Sequence, residues 1–82
     1  MTKKYFDKML SMQEILRLCI DKEKDLIEFY TQAHNHARTV EEDKMFKALI
    51  EDSHQHIVTL EKQLSEIKAQ QETDKALSYD VY

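Results

Sequence analysis

The residues able to do chemistry in this chain are few, and their spacing narrows what they can do. Four histidines come in two pairs, His34-Asn35-His36 and His54-Gln55-His56. Residues two apart on a helix diverge by about 200°, so neither pair can chelate one ion by itself, and only one member of each can face inward. Taking Glu23 as the origin and about 100° per residue, Leu16, Cys19, Leu26, Ile27, Tyr30, His34 and Ala37 fall on its side of a helix. A carboxylate is therefore expected in the middle of an apolar face, where leaving it unpaired is expensive. Such a Glu is usually paired with a cation, hydrogen-bonded, protonated or bound to a metal. Ser53 falls at the centre of a second apolar stripe, with His56 on one flank and His54 on the other. Glu23 and His56 at one level would be metal-ligand chemistry or a buried acid–histidine pair. His34 and Tyr30 would support such a site, or would serve as ordinary core residues. His36 is expected in solvent and Cys19 as a small buried hydrophobe. Ser–His nucleophilic catalysis has no support, because nothing in the sequence supplies an oxyanion hole.

The elements that must position these groups are helices. The 82 residues contain no glycine and no proline. That disfavours the tight turns of sandwiches and barrels, and the Gly-rich loops that hold phosphates. Ser11-Met12-Gln13-Glu14 reads as a capping box, and Thr39-Val40-Glu41-Glu42 as a second. Behind the first come Ile15, Leu16, Ile20, Leu26, Ile27 and Tyr30; behind the second come Phe46, Leu49, Ile50, Ile57, Leu60, Leu64 and Ile67. Both stripes have helical period. Helix one is expected over residues 12–38 and helix two over residues 40–70, with a connection so short that they must be antiparallel. Facing residues then have numbers summing to about 80. Glu23 comes level with His56 and Ile57, and His34 with Phe46.

Residues 1–10, with Tyr5, Phe6, Met9 and Leu10, are expected to form a short helix or arm. Residues 71–82, with Leu77, Tyr79, Val81 and Tyr82, are expected to be a tail, frayed or docking on a partner. The fold class is thus all-α, one hairpin domain over residues 11–70. Two cylinders touch along a line and cannot shield an apolar seam, so a homo-oligomer is expected, most simply two hairpins in a four-helix bundle.

Composition bounds the partners. Twelve Lys and Arg against 16 Asp and Glu give a net charge of -4, which leaves no basic footprint for nucleic acid. No apolar run approaches the roughly 18 residues that span a bilayer, and the first residues lack a signal-peptide pattern. One cysteine makes no internal disulfide, so a cytoplasmic setting is expected.

Glu23 lies seven residues before Tyr30 in the triplet Glu28-Phe29-Tyr30, and Met45-Phe46-Lys47-Ala48-Leu49 precedes His56 and Leu60. In these motifs the chain resembles the rubrerythrin and ferritin-like family over about residues 11–67. It is similar to the two-helix members, including the encapsulated kind, that build a di-iron site across a dimer. The resemblance implies iron binding, and oxidation of Fe(II) by oxygen or peroxide. It also implies Glu23 and His56 as ligands, with Tyr30, His34 and Ser53 around them. The family's second helix carries Glu-x-x-His, and alignment puts Ser53 where that Glu belongs. Glu51 and His54 supply a Glu-x-x-His two residues out of register, with Glu51 pointing off the apolar face. Glu23, His56 and their symmetry mates therefore suit a single iron, zinc or manganese ion better than a carboxylate-bridged pair. The alternative is a helical dimerisation or interaction module that has lost its metal, with the polar residues setting register.

Overall fold

The computed structural model describes residues 10–80, with side chains described for residues 10–73. Two α-helices, α1 (Met12–His34) and α2 (Val40–Asp80), pack against each other as an antiparallel hairpin. The expected arm over residues 1–10 lies outside the described residues except for Leu10. The hairpin measures 67 × 26 × 13 Å, and its two helices form a single layer among the described residues. No helix among the described residues is long and apolar enough to cross a membrane.

Each helix starts where its capping residues put it. Ser11 is extended (φ -71, ψ 160), and its hydroxyl accepts the amide of Glu14 at 3.2 Å. Glu14 reaches back to accept the Ser11 amide, also at 3.2 Å, which completes the box. The Ser11 amide, with its hydroxyl, holds the Glu14 carboxyl below the ordinary carboxylate range. Thr39 caps α2 in the same way, taking the Glu42 amide at 3.0 Å. The reciprocal arm of this second box lands one residue early: Glu42 accepts the amide of Arg38 at 2.8 Å, not that of Thr39. Glu41, Glu42 and Asp43 fill the first turn of α2, where the helix dipole favours negative charge.

The end of α1 departs from expectation. The helix stops at His34 and not near residue 38. The amides of His36 and Ala37 bond three residues back, to Ala33 and His34, each at 3.0 Å. This tighter winding is how a helix dissolves without a left-handed residue, and none of the described residues has positive φ. A chain without glycine needs these extra residues to reverse before Thr39 can cap the next helix. The other end also differs: α2 continues to Asp80, through much of the segment expected as a tail.

Packing along one line buries little. Ile20, at 7% exposure, is the one buried hydrophobic side chain among the described residues, and Ser53, at 3%, the one buried polar residue. Leu16, Ile27, Tyr30, Phe46, Leu49, Ile50, Ile57, Leu60, Leu64 and Ile67 are only half-buried. Met12, Leu26, Phe29, Val40, Met45 and Val58 are exposed.

Replacing Thr39 by Ala removes the acceptor of the Glu42 amide at the start of α2. The expected cost is about 1 kcal/mol of stability, read as a lower urea midpoint at unchanged m-value. An unchanged midpoint would mean that the turn, and not the cap, fixes where α2 begins.

Candidate functional site

The short reversal between the helices decides which polar groups meet. Glu23 lies in the middle of α1 and His56 in the first half of α2, and Nδ1 of His56 stands 3.3 Å from Oε1 of Glu23. The Glu23 side chain is 20% exposed and that of His56 62%. The carboxylate is therefore largely enclosed by its own hairpin, while the imidazole sits at the rim with one ring edge open to solvent.

The 3.3 Å separation is longer than a strong N–H···O hydrogen bond, which lies at about 2.7–3.2 Å. It matches the spacing of two ligands on one ion. Donor atoms at about 2.1 Å from a tetrahedral ion stand about 3.4 Å apart. Carboxylate oxygen and imidazole nitrogen together suit zinc, iron or manganese. The donor set fits a first-row ion but does not complete it: among the described residues no group of three or more His, Cys, Asp or Glu side chains gathers around a common point.

Ser53 is packed deep in the seam, three residues before His56. No hydrogen bond joins it to Glu23 among the described residues, so Ser53 acts as a small residue at the helix contact. Tyr30 is half-buried, with its ring edge-to-face on Phe29 at 6.1 Å and 63°, and it makes no hydrogen bond to Glu23. His54 and His36 are exposed. Glu51 is exposed as well and accepts a bond from Gln55 at 3.1 Å. The out-of-register pair Glu51 and His54 is thus not brought to Glu23.

Two expectations are corrected. Cys19 is exposed, not buried. At about 100° per residue it falls a quarter-turn or so from Ile20, beside the contact line and not on it. His34 does not support Glu23; its Nε2 is 2.5 Å from Oδ1 of Asp43, one turn before Phe46 on α2. That contact lies about 16 Å along α1 from Glu23, at ~1.5 Å per residue. Lys47 approaches the other oxygen of Asp43 at 3.1 Å, so the carboxylate is shared between two donors. His34 first and Lys47 second hold the Asp43 carboxyl below its ordinary range. Sequence reasoning missed Asp43. The signal was its place in the first turn of α2, four residues before Lys47 and on the flank of the stripe headed by Phe46.

No protein-family model, curated protein or solved structure matches the chain. The chemistry of the site therefore rests on its own geometry.

Because the folded Asp43 carboxyl titrates below its unfolded value, its contribution to stability is complete above the unfolded range. It disappears as pH falls through the folded value. Asp43→Asn should therefore flatten the acid side of the stability–pH curve, below roughly pH 4, and leave its shape near neutrality unchanged. Urea melts from pH 2 to 7 measure it, and an equal acid slope in both proteins would show that the His34–Asp43–Lys47 cluster contributes nothing.

Proposed function

We propose that the chain is a ferritin-like metal-binding protein in which two hairpins assemble a four-helix bundle and share one ion between them. Glu23 and His56 of each copy supply two carboxylates and two imidazoles. The observation that carries this reading is the Glu23–His56 pair: half of a four-ligand set, at ligand spacing, on a hairpin that buries a single hydrophobic side chain among its described residues. Iron would be the ion on the family resemblance, and zinc or manganese on the donor chemistry alone. A bound iron would supply one-electron chemistry, with Fe(II) and oxygen or peroxide as reactants. Within the chain, Glu23 provides the enclosed negative charge and His56 the nitrogen at the rim, while Ser53 lets the helices approach closely. A cytoplasmic setting accords with the single thiol.

A second reading is favoured by one observation: Glu23 already has His56 as a partner within its own chain. On that reading the protein is a helical dimerisation module without metal chemistry, the polar pair fixes register, and the C-terminal segment docks a partner.

Metal titration by equilibrium dialysis decides between the two. Anaerobic Fe(II), and separately Zn(II), should bind at about one ion per two chains. Glu23→Ala and His56→Ala should each abolish stoichiometric uptake while helicity by circular dichroism is kept. No uptake by the wild-type protein would overturn the metal reading and leave the module. In that case Glu23→Gln should leave the oligomeric state unchanged.

A further inference from the structure

Nothing in the backbone of the turn compels it to be a turn. Residues 35–39, Asn35-His36-Ala37-Arg38-Thr39, include no glycine or proline, and none of the described residues has positive φ. Asn35 itself lies in the right-handed helical region (φ -63, ψ -16). Each of these residue types is tolerated inside an α-helix. Running on as one helix would also restore the four-residue hydrogen bonds that the tightened end of α1 gives up. The side-chain contacts across the turn, His34 with Asp43 and the Arg38 amide with Glu42, are too exposed to hold the chain shut by themselves.

The pattern of burial supplies the missing restraint. On α1 the covered residues recur every seven places, at Gln13, Ile20, Ile27 and His34, each followed three places later by another. On α2 the same pattern runs from Asp43 through Ile50 and Ile57 to Leu64. These are the two halves of a coiled-coil seam. Counted on from His34, the α1 series would next reach Glu41. Glu41 is exposed, and the α2 series starts two places later, at Asp43. Two residues are about 200° of helix. In one unbroken helix the two seams would therefore face nearly opposite sides.

We infer that this two-residue break in phase is a lock that keeps the hairpin closed, and with it Glu23 and His56 of one chain together. A straight helix of this sequence could cover one seam against a neighbour and would leave the other in water. Folding back covers both at once. Were the seams in phase, two straight chains could lie antiparallel and exchange halves, the low-cost route by which identical elements swap. Each Glu23 would then meet His56 of the other chain. The break removes that alternative without any glycine or proline.

Insertions between Arg38 and Thr39 test the lock, because they reset the phase without shortening the turn. Five helix-forming residues, Ala-Ala-Lys-Ala-Ala, bring both series into one seven-residue repeat. Seven such residues lengthen the turn more but leave the break as it is. Donor and acceptor dyes are placed through Arg17→Cys and Lys68→Cys in a Cys19→Ser background. Both positions are exposed, and each lies one turn in from the Gln13–Gln71 contact, so in the closed hairpin they sit side by side. Diluting labelled chains into unlabelled protein makes energy transfer report a single chain. The native turn and the seven-residue insertion should give strong transfer. The five-residue insertion should abolish it, with the dyes ~84 Å apart at ~1.5 Å per residue, and should sediment as two chains with helicity kept. Transfer retained by the five-residue chain would overturn the lock. Loss of transfer with the native turn or the seven-residue insertion would overturn it too, because opening would then not depend on phase. So would loss of helicity in the five-residue chain, which is expected to be the most helical of the three. No readout involves an ion, so the lock and the shared metal site stand or fall separately.

Discussion

Two helices touch along a line about one side chain wide, and the rest of this structure follows from that limit. A hairpin buries a residue only where the line passes directly over it, and among the described residues it does so at Ile20 and Ser53. Every other apolar residue described in the seam keeps part of its surface in water. Serine at the contact is explained by size: a small side chain lets the backbones come close, and the neighbouring Glu23 and His56 then reach each other. A larger residue at position 53 would move the helices apart at the level where the carboxylate needs its partner.

Polar groups mark the length of the hairpin as rungs. Gln13 donates to Gln71 at 2.6 Å near the open end, Glu23 meets His56 in the middle, and His34 meets Asp43 beside the turn. Charge and hydrogen-bond pairing of this kind contributes little net stability when exposed, but it penalises any slip of one helix past the other. The rungs differ in what else they can do. Gln13–Gln71 is a neutral pair, and Asp43 is already shared between His34 and Lys47. The middle rung sets a largely enclosed carboxylate beside an imidazole that is mostly exposed, whereas His34 at the turn is itself largely covered.

Most of this architecture was legible in the sequence. Capping residues at Ser11 and Thr39 located both helix starts, and the turn they bracket set the pairing of Glu23 with His56. What stayed hidden has physical causes. The stop of α1 at His34 depends on how a glycine-free chain reverses, through three-residue-back bonds that leave no compositional mark. The exposure of Cys19 depends on which side of a broad apolar arc faces α2, and periodicity alone cannot say where a contact line runs within that arc. The Asp43 partner of His34 was hidden because helix register is read per residue, whereas side chains reach three or four residues along the axis. The extension of α2 to Asp80 was obscured by the polar composition after residue 70, where no apolar stripe signals a helix.

On the proposed reading, the Glu23–His56 pair is half of a ligand set, and a hairpin with one buried hydrophobic residue among its described residues leaves a surface for a second copy to complete. Native mass spectrometry of the metal-loaded protein addresses this most directly, because it weighs chain and ion in the same particle. Two chains carrying one first-row ion, with the ion lost together from both copies when Glu23 is replaced by Ala, is the expected spectrum. A single chain at all concentrations, with or without an ion, would contradict it.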